Sequence, residues 1–317
     1  QKRHLHRLAH RHGPGNLAQP EAAADHQGRQ HGRPPNLEHA FQVNFHSGHE
    51  HEQEHADFGG LQLSGSLRHQ QVKVDDVNPA FGVDNHSDNR KTLLRAGAVL
   101  PIGSVLSAFA GWGQGMRVPT FAIFSAPPKP ELSTQSEIGL RVSGTPGLSA
   151  TLALFDLKLK NALMPDPAHP GQTIQVGSKR SRGVDAELQW QVMPGWHWLA
   201  SLTHQNPKVQ DSGKQTVDMP KTSARLATHH DLPRGFGVGL GLTHHSALPG
   251  DAANSYFTPA ATVFDAQLSW KLQRVTLGLV VNNLADKSYY TPSRYFGGGQ
   301  VTPAPRRSVA ATARLDF

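Results

Sequence analysis

The chain has 317 residues, with 31 Lys and Arg against 24 Asp and Glu for a formal net charge of +7, and its length suits one large domain or two small ones. It contains no cysteine, which excludes a disulfide scaffold, a cysteine zinc site and a cysteine nucleophile. The mean hydropathy of −0.46 is too low for a bundle of membrane-spanning helices.

Residues 1–56 form an irregular, His-rich segment that is not expected to fold alone. They hold 11 of the 20 histidines, equal numbers of acidic and basic residues, and almost no periodic apolar pattern. The first twelve residues lack the apolar core of a signal peptide, so either the protein is not exported or its true N-terminus is missing.

Two interpretations of this segment stay open. The density of Glu and His around His51 and His55 is compatible with a metal-binding tail. Alternatively, the segment has no evolved role, for example because it is translated out of frame ahead of a genuine protein. The histidines recur at no fixed ligand interval, which favours the second interpretation, and no metal site is predicted.

From about residue 57 to the C-terminus, hydrophobicity alternates with a period of two. In the last strand Val309, Ala311, Ala313 and Leu315 share one face, while the residues between them are mostly polar or small. The uncharged stretch 96–116 is long enough for a spanning helix, but it contains Pro101 and five glycines. Two strands joined by a tight turn are therefore predicted there.

About twelve such strands follow one another, and the connections between them alternate between short turns and long polar loops. The predicted strands are 61–71, 91–100, 104–113, 134–143, 148–160, 180–192, 196–206, 221–231, 236–246, 261–272, 274–283 and 308–317. Soluble β-sandwiches have shorter strands and no strict order of short and long connections. The pattern predicts an all-β fold, a transmembrane antiparallel β-barrel in which only alternate residues need to be apolar.

Three tryptophans flank the predicted turn at Pro194 and Gly195. Trp190, Trp196 and Trp198 lie where an aromatic girdle would meet the membrane interface. The alternative is that they are core tryptophans.

Enzyme and nucleic-acid functions find no support in the sequence. There is no Gly-x-Ser-x-Gly elbow, no P-loop and no basic cluster interleaved with aromatic residues. The pairs His229-His230 and His244-His245 lie on predicted strands, where neighbouring side chains point to opposite faces. The chain is therefore expected not to be an enzyme and to need no cofactor.

Five motifs, in order, carry a resemblance to a known family. They are GWGQGMRVPT (111–120), PELS with EIGL (130–140), SRGVDAEL (181–188) with the PGW turn that follows, VNNLADKSYY (281–290), and the PRR (305–307) that leads to the terminal Phe317. From about residue 60 onward, the chain resembles the C-terminal half of the barrel of TonB-dependent outer-membrane receptors, most closely the ferric-siderophore type. Met116 and Ala285 stand where the family has aromatic residues.

The resemblance implies the C-terminal part of a 22-stranded barrel in the cell outer membrane of a Gram-negative bacterium. It also implies a signal sequence, a TonB box and a plug domain, none of which is visible in the sequence, so residues 57–317 are interpreted as part of a disrupted or incomplete receptor. The expected function is uptake of a ferric siderophore driven by the TonB complex. The alternatives are a receptor for haem, cobalamin or a copper chelate, or a passive porin-like barrel.

The expected partners besides TonB and the ferric siderophore are outer-membrane lipid and lipopolysaccharide, and the barrel assembly machinery, for which Leu315 and Phe317 resemble the C-terminal signal. Candidate ligand residues in the loops are aromatic residues that stack on chelates and arginines that pair with anions. These are Arg117, Tyr289, Tyr290, Arg294 and Tyr295. Solvated loop residues or girdle aromatics are the alternative for each.

Overall fold

The computed structural model describes residues 6–11, 42–78, 83–119, 129–165, 173–217, 219–292 and 301–316. These residues form β-strands and one short 3-10 turn, Pro233–Gly235, and the all-β antiparallel fold is confirmed. In chain order the strands are β1 (His6–Arg11), β2 (Gln42–Phe58), β3 (Leu61–Asn78), β4 (Val83–Ile102), β5 (Leu106–Arg117), β6 (Glu131–Thr145), β7 (Leu148–Pro165), β8 (Thr173–Met193), β9 (Trp196–Gln205), β10 (Lys208–Val209), β11 (Thr222–Asp231), β12 (Phe236–His245), β13 (Leu248–Pro249), β14 (Phe257–Thr258), β15 (Ala261–Leu272), β16 (Val275–Asn282), β17 (Tyr290–Pro292), β18 (Val301–Pro303) and β19 (Ser308–Leu315).

One large sheet contains fifteen of these strands, and consecutive strands in the chain are neighbours in the sheet. Its order is β1-β2-β3-β4-β5-β6-β7-β8-β9-β11-β12-β15-β16-β19, and β10 pairs with β8 beside this path. Two small hairpins, β13 with β14 and β17 with β18, lie in the loops. This up-and-down order is the meander that barrel strands of outer-membrane proteins follow.

All twelve predicted strands are present in the large sheet, from β3 to β19. The structure adds β1 and β2, which lie within or reach into residues 1–56, for which no regular structure was predicted. β2 pairs with β3 along its full length, from Gln42 with Val77 to Phe58 with Leu61. Backbone hydrogen bonds to a neighbouring strand need no apolar alternation, so a sequence pattern of hydrophobicity does not reveal such a strand.

Several strands are much longer than the ten or so residues predicted. β8 has 21 residues and β4 has 20. The extra residues lie at the ends next to the long loops, where β7 and β8 keep pairing up to Pro165 with Thr173. At the opposite ends the turns are tight, and Gly195 adopts a φ of +80° that side chains other than glycine rarely accept.

In the described part of the chain, no helix combines the length and the apolar character that crossing a membrane requires.

Candidate functional site

The large sheet has one polar face and one apolar face, because residues on each strand alternate and the antiparallel register keeps like residues side by side. Arg95, Glu137 and Arg141 lie on the polar face, where they line a cavity of about 620 Å³. We call this polar face, on which the cavity lies, the concave face, and the opposite apolar face the convex face. On the convex face apolar side chains are open, with Leu154 57% and Ile138 60% exposed. Such exposure on a soluble protein would be unusual, whereas lipid would cover it.

The apolar run on the convex face ends at the same level in six consecutive strands that lead from short turns to long loops. In each, the residues at the strand start and two, four and six positions later are apolar or glycine, and the residue eight positions later is polar. The polar residues are His69, Gln114, Asp156, His204, His244 and Asn283. Eight residues of strand rise about 27 Å along the strand, which at the usual strand tilt of about 35–45° corresponds to about 20 Å across the membrane, most of the apolar band of about 25 Å in outer-membrane barrels. We call this level the outer boundary.

At the outer boundary, histidines pair with threonines on neighbouring strands. The Nδ1 to Oγ1 distances are 3.1 Å for His69 and Thr92, 2.9 Å for His204 and Thr222, and 2.8 Å for His244 and Thr262. These pairs satisfy polar side chains where the apolar surface gives way to water.

Beyond the outer boundary on the concave side, a charge cluster surrounds Glu131 at the start of β6. Glu131 is only 2% exposed, and it forms an ion pair with Arg117, whose side chain is 72% exposed. Its Oε2 accepts a hydrogen bond from Nε of Arg117 at 2.5 Å, and its Oε1 accepts one from the backbone N–H of Leu163 at 2.9 Å. The buried carboxylate therefore holds three strands together and fixes the root of an exposed guanidinium.

Lys179 on β8 completes this cluster. Its Nζ donates a hydrogen bond to the carbonyl of Leu163 at 2.5 Å. Burial lowers the pKa of Lys179 from its ordinary value, Glu131 opposes that change, and Arg117 adds to it. Two cations around one carboxylate leave a net positive charge at this rim of the concave face.

A second set of contacts closes the base of the loop between β16 and β19. Asn283, which is 3% exposed, donates from Nδ2 to the carbonyl of Lys287 at 2.9 Å and to that of Pro305 at 3.2 Å. Asp286 accepts two hydrogen bonds from Arg306 and one, at 3.0 Å, from the backbone N–H of Arg307. The hydrogen bonds from Arg306 hold the pKa of Asp286 well below its ordinary value.

The structure places the predicted ligand residues in separate parts of the rim. Arg117 lies at the end of β5, and Tyr290 lies on β17 in the loop after β16. Tyr289 contacts the His245 ring with centroids 6.3 Å apart. Seven strands of the large sheet separate β5 from β16, so the sheet order does not bring Arg117 next to the tyrosines. Arg294 and Tyr295 lie outside the described residues.

The three tryptophans of the predicted girdle lie together at the short-turn end. Trp190 pairs with Trp198 across β8 and β9, and Trp196 stacks on His230 with centroids 5.1 Å apart. Trp190 is on the convex face and 45% exposed. Of the predicted assembly signal, Leu315 is on the convex face of β19 and 53% exposed, whereas Phe317 lies outside the described residues.

Sequence reasoning missed the roles of Glu131 and Lys179. Pro130 and Glu131 belong to a motif, but nothing in the local pattern shows that the backbone N–H of Leu163, near the end of β7, donates a hydrogen bond to the Glu131 carboxylate. Within the described ranges, no group of three or more His, Asp or Glu side chains is placed to hold a metal ion.

Comparison with known proteins identifies a family. The family described as TonB dependent receptor-like, beta-barrel, matches residues 53–284. Among curated relatives, the metal-pseudopaline receptor CntO of Pseudomonas aeruginosa is 28% identical over 59% of this chain and 28% of its own length. The ferrioxamine receptor of Yersinia enterocolitica is 27% identical over 81% of this chain and 38% of its own length.

Solved structures share the fold. The siderophore receptor PiuA from Acinetobacter baumannii superposes with a TM-score of 0.74 at 20% identity, over 87% of this chain and 44% of PiuA. The chain therefore spans about a third of the curated relatives and less than half of the solved neighbour.

Proposed function

Because the chain belongs to the TonB-dependent receptor-like β-barrel family, whose members are outer-membrane receptors of Gram-negative bacteria and not enzymes, we propose that it forms part of a receptor that takes up a ferric siderophore. The convex apolar face contacts lipid, and the concave polar face lines the lumen. The ligand approaches from the side of the long loops.

The observation that carries this proposal is the geometry around Arg117. Glu131 is buried and anchors the guanidinium, while most of the Arg117 side chain remains exposed on the rim of the concave face. Lys179 adds a second cation beside the same carboxylate. An anchored, exposed guanidinium at the mouth of a lumen suits an anionic ligand, because arginine pairs with carboxylates and similar oxygen anions in a fixed geometry. Ferric siderophores that carry anionic groups offer that chemistry.

Tyr289 and Tyr290 are the aromatic candidates for ligand contact, and they lie in another part of the same rim. Tyr290 is 40% exposed, and the contacts of Asn283 and Asp286 fix the loop base from which both tyrosines project. A fixed base reduces the conformational entropy that the loop loses when a ligand orders it. Energy from TonB, acting on a plug inside the lumen, completes the proposed cycle.

The proposal is tested by iron uptake. The whole receptor to which this chain belongs, with its plug, is expressed in iron-starved cells that lack their own siderophore receptors. Uptake of radioactive iron is measured with a hydroxamate, a catecholate and a carboxylate ferric siderophore, with haem, cobalamin and a copper chelate as competing classes. Saturable uptake of one ferric siderophore, abolished by a proton uncoupler, is the expected result. Uptake of haem, cobalamin or copper alone overturns the siderophore assignment. Energy-independent passage of small sugars would show a porin instead.

The role of Arg117 is tested by Arg117→Gln, with Arg274→Gln as the control at the short-turn end of the sheet. Arg117→Gln is expected to raise the half-saturating ligand concentration about tenfold, since a charge-assisted hydrogen bond contributes about 1.5–3 kcal/mol. Equal uptake by both variants would remove Arg117 from the binding site.

A further inference from the structure

Two outer loops of the large sheet are folded against each other. The 206–217 loop follows β9 and contains β10, and the 246–260 loop follows β12 and contains the hairpin of β13 and β14. Strands β9, β11, β12 and β15 are neighbours in the sheet, so the two loops rise side by side.

An apolar cluster lies between these loops. Val209 of the first loop is 4% exposed and Ala252 of the second is 7% exposed, and they form a buried cluster against which Ile174 of β8 and Val217 pack. Separating the loops would return this apolar surface to water, which is unfavourable. The burial therefore favours a state in which the loops stay together.

Asn254 links the two loops through its side-chain amide. Its Oδ1 accepts a hydrogen bond from the backbone N–H of Gln215 at 2.8 Å, and its Nδ2 donates one to the backbone carbonyl of Gln215 at 3.0 Å. Lys214 adds a third link, since its Nζ donates to the carbonyl of Ala253 at 2.6 Å. The amide of Asn254 thus takes the place that a neighbouring strand would have beside Gln215.

The 246–260 loop has a fixed shape of its own. Thr258 is 2% exposed and Leu248, its partner in the hairpin, is 8% exposed. Asp251 accepts a hydrogen bond from the backbone N–H of Ser255 at 2.7 Å through Oδ1, and its Oδ2 accepts the hydroxyl of the same serine. These contacts hold the turn that presents Asn254 to the other loop.

The 206–217 loop is anchored to the outer end of β8. Val209 pairs with Lys179 in the register of β10 and β8. The backbone N–H of Gln210 donates to the carbonyl of Ser178 at 2.8 Å, and Oδ2 of Asp211 accepts from the backbone N–H of Gly177 at 3.0 Å. The chain of contacts therefore runs from β8 through the first loop to the second.

We propose that residues 174–180, 206–217 and 246–260 form one rigid loop block that keeps its shape during transport, with Asn254 as the latch between its two loops. Movement of the mouth around a ligand is then confined to loops outside the block. A wall that is already ordered loses little conformational entropy when a ligand binds against it. The rigidity of the block depends on the fold alone, whereas its behaviour during transport rests on the proposed function.

Hydrogen exchange on the full chain tests the latch. Asn254 has a φ of +53°, which glycine also accepts, so Asn254→Gly removes the amide without straining the backbone. With two hydrogen bonds lost, amides in both 208–217 and 250–258 are expected to exchange about tenfold faster. The matched control is Ser255→Ala, which removes a hydrogen bond within the second loop only and is expected to affect 250–258 alone. Unchanged exchange of 208–217 in Asn254→Gly, or an equal increase there in Ser255→Ala, overturns the latch.

Cross-linking tests whether the block stays closed during transport. The chain has no cysteine, so Val209→Cys with Ala252→Cys supplies a single thiol pair, which a short, reducible bifunctional thiol reagent joins. In the whole receptor, uptake of iron from the hydroxamate, catecholate and carboxylate ferric siderophores is expected to be the same before and after cross-linking, and the same as in Val209→Cys treated alike. Uptake that is lost on cross-linking and restored by a reductant overturns the fixed block. Absence of uptake before cross-linking would instead refute the proposed function, and the exchange experiment then decides whether the block is rigid.

Discussion

Replacing the buried carboxylate of Glu131 should loosen the outer ends of β5, β6, β7 and β8 together. In Glu131→Gln the side chain keeps its shape and an oxygen that accepts from Leu163, but the charge that pairs with Arg117 disappears. A hydrogen bond to a charged group contributes about 1.5–3 kcal/mol, and a buried charge left without its partner costs about 3–5 kcal/mol. Because Arg117 is mostly exposed, water can solvate its charge once the carboxylate is gone, and we expect the local stability to fall by about 2 kcal/mol.

The loss of stability caused by Glu131→Gln should depend on pH because of Lys179. Burial lowers the pKa of Lys179 in the folded chain, and Glu131 opposes that change, so the substitution lowers the pKa further. With a folded pKa below the unfolded value, the unfolded chain binds more protons between the two values, and stability rises with pH there. The destabilisation by Glu131→Gln should therefore shrink as the pH rises from neutral toward the ordinary lysine value of 10.5.

Hydrogen exchange measures this local effect without unfolding the whole sheet. Amides in residues 159–163 and 175–180 should exchange about 30-fold faster in Glu131→Gln at neutral pH, once intrinsic rates are corrected. Glu137→Gln, on the same strand and face but in the cavity lining, is the control. Equal exchange in the two variants, or a loss that grows with pH, would refute the reasoning.

Four further outcomes are expected. Asp286→Asn should speed hydrogen exchange of the amides at the loop base at neutral pH. In the unmodified chain the protection of these amides is fully present above the ordinary aspartate pKa near 3.8, and it is lost only as the pH falls through the depressed pKa of Asp286 in the folded chain. Identical exchange in the two chains would contradict this prediction. Gly139→Ala should lower the folded fraction on a semi-native gel, because a Cβ there would lie 2.4 Å from the carbonyl oxygen of a neighbouring strand, while Gly65→Ala, with no atom within 4 Å, should not. In a variant whose only tryptophan is Trp190, lipids brominated near the headgroup should quench the tryptophan fluorescence more than lipids brominated at the end of the acyl chain. The reverse order would place Trp190 outside a girdle at the membrane interface. Deleting Phe317 in the full-length receptor should reduce its level in the outer membrane, and unchanged insertion would argue against a role in barrel assembly.

Strand positions could be predicted from the sequence because lipid and lumen impose opposite chemistry on alternate residues. β15 shows this well, since Phe264, Ala266 and Leu268 fall on one face and Asp265, Gln267 and Ser269 fall on the other. The same periodicity could not reveal β2, where His and Glu alternate without an apolar face. It also could not give the full length of β8, because residues beyond the outer boundary meet water on both faces and lose the pattern.

The candidate site was less predictable than the fold. Arg117 was identified from its motif, but its anchor depends on a contact between Glu131 and the backbone of Leu163, 32 residues away in the chain. Local patterns carry no information about such a contact.

The central claim is that the apolar convex face contacts lipid and the polar concave face lines an aqueous lumen. Since the chain has no cysteine, single cysteines can be introduced and spin-labelled at Leu152, Leu154, Thr151 and Glu187 in membranes. Collision with oxygen, which concentrates in lipid, should dominate at Leu152 and Leu154, and collision with a water-soluble nickel chelate should dominate at Thr151 and Glu187. Accessibility that does not alternate, or that alternates in the opposite sense, would contradict the membrane-spanning arrangement.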